Sequence, residues 1–287
     1  MELPSSPPED GAVEFVNPPV ADDINAPDRR HLRGCVVNFF IVVAAILALG
    51  VVLDFAANYL TPYIPFRWEK ALLGSDLLQS TLDAEGRARQ EELRSLAARL
   101  EAGMDFPGDV SVSVYYNPGR TVNAFATFGG NIIVFRGLLD LMDSEDELAM
   151  VLAHEMAHVK HRDMLRGSVR ACGFVLLSLG LQDGGASLGQ VMEWEMAGYG
   201  RSRETEADLA AVRALGRLYG HAGGAYEFFH SLAVEVEKRD PAGKRPIAGL
   251  NSSHPDTLRR LDACREEAEK LNIPFEGGLT PLPDVFD

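Results

Sequence analysis

His154, Glu155, Met156, Ala157 and His158 read HExxH inside a stretch rich in helix formers. Histidines four positions apart on a helix project from one face, where two ring nitrogens can hold a single divalent ion. Glu155 then stands beside the ion's open position, placed to take a proton from a water there. The chemistry served by this spacing is metal-assisted hydrolysis, with one Zn2+ per chain. In a chain with seven histidines among 287 residues, an accidental HExxH is expected only about 0.01 times.

A tetrahedral catalytic site needs a third protein ligand and leaves its fourth position to water. Glu204 opens an ExxAD string, Glu204-Thr205-Glu206-Ala207-Asp208, in a segment whose Leu209, Val212 and Leu215 continue a helical pattern. Glu204 and Asp208 are i and i+4 neighbours, so both can face the first helix. Glu204 is the expected ligand, and Asp208 the carboxylate that fixes a ligand imidazole's tautomer. Glu206 points elsewhere and is expected in solvent. His161 lies one turn beyond His158, but three consecutive turns of a straight helix surround an ion poorly. Six residues after His158, where another zinc arrangement would place a histidine, stands Met164. Lone histidines such as His221 and His230 are more often surface or core residues than ligands.

Several further strings stand in order around these two. Val122-Asn123-Ala124-Phe125 precedes Gly129-Gly130-Asn131-Ile132-Ile133-Val134 and Gly137-Leu138-Leu139; Val159-Lys160-His161-Arg162 follows HExxH; Ser202-Arg203 precedes Glu204; and Ser253-His254-Pro255 comes last. Together, from about Val122 to Leu261, they resemble the HtpX-like and CAAX prenyl protease type of gluzincin metallopeptidase, a family that includes periplasmic and mitochondrial quality-control peptidases. The resemblance implies zinc held by His154, His158 and Glu204, with Glu155 as general base. It also implies a place near the metal for His254, as oxyanion donor or as a gate on the water position. A helix-start histidine before Pro255 explains His254 without any such role. Gly129-Gly130 followed by the β-rich run 131–135 reads as a turn entering an edge strand, on which an extended peptide could add by main-chain pairing. The same pattern fits a plain hairpin. The resemblance favours binding, with Asn123, Ala124, Phe125, Gly129, Gly130 and Asn131 as the substrate-holding residues.

The elements that must position these groups follow from periodicity. An amphipathic helix is predicted over 84–102, a strand over 110–116 and a hairpin-like pair over 121–135. Helices follow over 145–161, 163–180, 188–199, 202–218, 222–237 and 256–271. Within 145–161, Leu148, Leu152, Met156 and Val159 share the side away from the histidines, so one face is core and the other metal. The fold class is α+β, a predominantly helical zincin-like domain with a small sheet and an edge strand, spanning 75–287. The apolar run 173–181 is too short to span a membrane and is expected to pack inside.

Residues 34–53 carry no charge over twenty positions, the length of a bilayer core, and are read as a transmembrane anchor over 34–54. A cleaved signal peptide fits poorly, because the leader of 33 residues and the apolar run are both too long. Residues 1–33, with Pro7-Pro8 and Pro18-Pro19, are expected to be disordered, and 55–74 to be a linker. Arg29, Arg30 and Arg33 flank the run on its N-terminal side against Arg67 and Lys70 beyond it, which favours the N-terminus inside. The peptidase domain then faces outward, in the periplasm if the membrane is a bacterial inner membrane.

A net charge of −15, from 27 basic against 42 acidic residues, argues against nucleic acid as partner. Polypeptides and the bilayer are the expected partners. Neither a phosphate-cradling glycine motif nor a nucleophile elbow is present. Cys35, Cys172 and Cys264 lack ligand spacing; the last two could pair, but isolated thiols are more often free. The reading is a membrane-anchored zinc endopeptidase, for which the resemblance implies a role in clearing misfolded envelope proteins. The alternative is a non-catalytic, metal-stabilised, chaperone-like membrane factor, for which Glu155 would have no use.

Overall fold

The computed structural model describes residues 29–72, 82–169, 201–239 and 257–286. Its chain divides into a unit Met1–Leu49 and a unit Gly50–Asp287. In order it forms α1 (Arg29–Leu60), a 3₁₀ turn (Thr61–Tyr63), α2 (Phe66–Leu72), α3 (Ala84–Glu101), β1 (Ser113–Asn117) and β2 (Ala124–Thr127). A second 3₁₀ turn (Phe128–Gly130), β3 (Asn131–Phe135), α4 (Arg136–Leu139), α5 (Glu145–His161), α6 (Arg201–Tyr219), α7 (Gly223–Arg239) and α8 (Thr257–Lys270) follow. The expected helix 163–180 is helical over 163–169 and then leaves the described residues, as does all of 188–199.

α1 contains the one candidate membrane span among the described residues, Arg33–Tyr63, with none of its most apolar window buried. At 1.5 Å per residue, about 20 residues cover a hydrocarbon core of about 30 Å. Val36, Phe39, Leu47 and Val51 along it are all more than half exposed. Apolar surface of that extent is stable against lipid rather than water.

Both ends of α5 are set by local chemistry. Ser144 and Glu147 form a reciprocal capping box, Glu147 N–H donating to Ser144 Oγ at 3.2 Å and Ser144 N–H to Glu147 Oε2 at 3.3 Å. The helix stops where Arg162 turns left-handed, with φ 55° and ψ 40°. Between these ends every residue from Glu145 to Val159 is buried. Leu148, Leu152, Met156 and Val159 face the core as expected, and the face that carries the two histidines is buried as well. α3, α6, α7 and β2 pack around α5, so even the metal face is covered by protein. Leu148, Leu152 and Met156 are wholly buried, each stabilising the fold by about 1.5–3 kcal/mol.

The sheet has the order β1-β3-β2, with β3 parallel to β1 (Ser113 opposite Asn131) and antiparallel to β2 (Ala124 opposite Val134). This corrects the reading of 131–135 as an edge. β3 is the middle strand, hydrogen-bonded on both sides, with Ile132 and Val134 fully buried. β2 is the edge strand beside α5.

A second correction concerns the expected linker 55–74, of which the described residues 55–72 are folded. α1 runs on to Leu60, and α2 docks against the 3₁₀ turn at Phe128–Gly130. Gly129 and Gly130 have positive φ, 72° and 76°. A Cβ on Gly130 would sit 2.0 Å from Ser111 O and 3.0 Å from Phe66 Cζ, and one on Gly129 would sit 2.9 Å from Lys70 Cα. Gly129 thus admits α2, and Gly130 the Ser111 backbone and the Phe66 ring.

Candidate metal centre

α5 and α6 lie side by side and bring His154, His158 and Glu204 together, each buried, with one donor atom apiece inside 4.8 Å of the others. His154 Nε2 and His158 Nε2 are 3.1 Å apart, and each is 3.5 Å from a Glu204 carboxylate oxygen. Two donors about 2.0–2.2 Å from a tetrahedral ion stand about 3.3–3.5 Å from each other. The spacings, measured to the two different Glu204 oxygens, are close to those of donors around one zinc ion, and two imidazoles with a carboxylate are a donor set that suits zinc.

Both histidines are oriented from behind. His154 Nδ1 pairs with Asp208 Oδ1 at 2.9 Å, and His158 Nδ1 with Asp163 Oδ2 at 2.9 Å. A carboxylate at Nδ1 holds the proton there and turns the Nε2 lone pair toward the triangle. Asp208 is gripped in turn by Arg260 of α8, whose Nε and Nη2 donate to its two oxygens, each at 2.7 Å. Arg260 Nη1 also stands 3.4 Å from Glu204 Oε2, and its guanidinium lies over the Phe229 ring at 5.3 Å.

The electrostatics favour a cation. Burial works against a charged His158, but hydrogen bonds to Asp163 and Glu204 outweigh it and push its pKa up to about 10. His154 is raised in the same way, burial being outweighed by Asp208 and Glu204. For Asp208, burial raises the pKa but the Arg260 hydrogen bonds and charge more than offset it, and the carboxyl is held below its usual range. Asp163 is likewise lowered, its burial overcome by His158. The carboxylates stay ionised around two imidazoles, a negative pocket suited to a metal ion.

Glu155 is buried one position from His154, and its Oε2 accepts the Ala126 N–H of β2 at 2.8 Å. That N–H points outward from the sheet, since Asn123 on the same strand uses its carbonyl to bond Phe135 of β3. Beside His154 and Glu155 a recess of about 280 Å³, counting space open to solvent, is lined chiefly by Met150, Val151, Phe228 and Leu232. Ala124 and Phe125 belong to β2, with Asn123 just before it. Asn131 instead starts the central strand and spends its side-chain amide on Phe128 O at 2.7 Å.

The remaining candidates lie elsewhere. His254 is outside the described residues, as is Cys172, while Cys264 is buried and free. His161 Nε2 stands 3.7 Å from Glu206, whose side chain is 60% exposed. His221 bonds Gly278 O at 3.2 Å, and His230 stacks on Tyr226. Sequence reasoning missed Asp163 and Arg260. Asp163, five positions after His158, offered a weak local hint; Arg260 offered none, being 52 residues from Asp208.

The model of peptidase family M48 matches residues 87–268. This chain belongs to peptidase family M48. A protease HtpX homolog of Desulfatibacillum aliphaticivorans is 43% identical over 223 residues, 62% of this chain and 70% of the relative. A protease HtpX homolog of Thermococcus sibiricus is 27% identical over 270 residues, 79% and 87% of the two chains. The beta-barrel assembly-enhancing protease of Yersinia pestis is 30% identical over 165 residues, 52% of this chain but only 33% of that protein's length. As an M48 member the chain is an HtpX-like metalloprotease acting on polypeptides, and its apolar N-terminal helix is that of a membrane-associated protein.

Proposed function

We propose that this M48 protein is a zinc-dependent endopeptidase of the HExxH-plus-glutamate type, anchored through α1 and acting in quality control of misfolded envelope proteins. The observation that carries the reading is the buried triangle of His154, His158 and Glu204 with Glu155 beside it.

When bound, zinc supplies Lewis acidity toward water and a peptide carbonyl. With Asp208 and Asp163 holding their Nδ1 protons, His154 and His158 would turn Nε2 to the ion, which would take the place of the Nε2 proton. Glu204 contributes the negative charge that makes the site a cation site. Glu155 takes the proton of the attacking water and returns it to the departing amine, while the Ala126 N–H holds its other oxygen in place. The outward main chain of β2, at Ala124 and the Ala126 carbonyl, pairs with an extended substrate whatever its side chains are. The quality-control role rests on the likeness to the assembly-enhancing protease, of which this chain spans a third.

Glu155→Gln keeps the size of the side chain and removes the base. The variant is expected to retain zinc and the fold while cleavage of casein by the full-length protein in detergent falls about 10²- to 10⁴-fold. Wild-type cleavage by the variant would contradict the mechanism.

A further inference from the structure

Arg162 closes the metal-binding helix in a way that serves more than a helix end. It is left-handed, a conformation in which glycine or asparagine is usual, and its guanidinium is buried. Among the described residues, the partners of that guanidinium come from the 3₁₀ turn after the membrane helix through α2, Thr61 to Glu69. Nε donates to the buried Glu69 carboxylate, Nη1 donates to Thr61 O at 2.8 Å and Ile64 O at 2.5 Å, and the cation lies 5.8 Å over the Phe66 ring. The segment is fixed on its other side too, where Lys70 Nζ donates to Ser111 Oγ at 2.8 Å and Phe66 N–H to Asp109 Oδ2 at 3.3 Å. The next residue after Arg162 is Asp163, the carboxylate that holds His158 Nδ1 at 2.9 Å.

We propose that Arg162 and Glu69 are positioning residues of the metal centre, and that the membrane-proximal segment Thr61–Leu72 is thereby an integral part of the peptidase. The clamp fixes the backbone from which Asp163 projects, and Asp163 fixes the ring of His158. A turn left free at this point would let Asp163 swing, and His158 would lose the partner that aims its Nε2. Arginine is required for the geometry: one planar fork reaches a carboxylate and two carbonyls at once, which an ammonium on a flexible stem cannot reproduce. The inference rests on the metalloprotease reading above only for its effect on activity.

The test uses the full-length chain in detergent micelles with Glu69→Gln, Arg162→Lys, Arg162→Ala and, as control, Arg67→Ala, an exposed arginine of the same helix. Two quantities are read for each folded variant: the zinc dissociation constant by chelator competition, and the His158 Nδ1 proton resonance in ¹⁵N-histidine-labelled, metal-free protein. Arg162→Ala is expected to weaken zinc about 10- to 100-fold, the range for groups that orient metal ligands, and to broaden or lose the resonance. In cleavage kinetics kcat falls with KM little changed. Arg162→Lys and Glu69→Gln fall between Arg162→Ala and wild type, and Arg67→Ala matches wild type. Glu69→Gln keeps the size of the side chain, so it decides the matter if Arg162→Ala does not fold. Unchanged zinc affinity and an unchanged resonance in Glu69→Gln and Arg162→Lys would overturn the clamp. A wild type that shows the resonance and its loss in the variants, yet cuts nothing, would overturn the peptidase reading and leave the clamp standing.

Discussion

Three side chains acting on one ion make a site only if their lone pairs are aimed, and here the aiming is done by carboxylates one layer out. Asp163 and Asp208 each take the Nδ1 of one histidine, and Arg260 holds Asp208 by both oxygens. Asp163→Asn or Asp208→Asn keeps size while weakening the acceptor and allowing the wrong tautomer. Each is expected to lower zinc affinity about 10- to 100-fold with the fold retained, as titrated against a competing chelator. At this scale the sequence was informative wherever chemistry depends on spacing along one helix. Four-residue separations place His154 with His158 and Glu204 with Asp208 on common faces before any tertiary contact is known. Arg260 was illegible for the opposite reason: its partners are chosen by how α8 crosses α6, and an arginine in a charged helix is ordinarily a solvated one. Asp163 sits where a helix has just ended, and nothing local marks which way such a side chain turns.

At the scale of elements, α5 matched its expected bounds because its ends carry their own signals, the Ser144 capping box and the run of good helix formers between. The sheet was harder. An apolar β-branched run such as 131–135 shows that a strand exists but not how many neighbours it has. Strand order is decided by crossover connections, here the path that brings β1 alongside β3 in parallel. The short, proline-flanked stretch after α1 reads as a linker because α2 has only seven residues and its Trp68 is exposed. Its role lies in buried contacts of Phe66 and Glu69 with residues far along the chain, to which local pattern is blind. The fragment 75–287 looks like a self-sufficient domain from sequence, yet it lacks α2 and the partners of Arg162. That fragment is expected to bind zinc at least about 10-fold more weakly than the full-length chain in side-by-side chelator competition. Equal affinity would show that α2 is dispensable.

Across the whole molecule, a long apolar helix precedes a peptidase unit whose site is enclosed by its own helices. An enclosed site with main-chain substrate pairing suits extended or unfolded chains, which can thread beside β2, better than folded ones. The arginines ahead of the apolar run favour an N-terminus inside, for which the catalytic unit is expected on the outer face. A reporter fused after Asp287 should be active only in its periplasmic form; activity of a cytoplasmic reporter there would reverse the orientation. The excess of acidic over basic residues along the chain, 42 against 27, is unfavourable for a phosphate backbone.

Zinc content of the purified full-length protein, measured beside His154→Ala, His158→Ala and Glu204→Ala, addresses the coordination set directly. One ion per chain in the wild type, lost after mild chelation from each of the three variants and not from the wild type, is the predicted result. An ion held as tightly by Glu204→Ala as by the wild type would contradict the assignment of its third ligand.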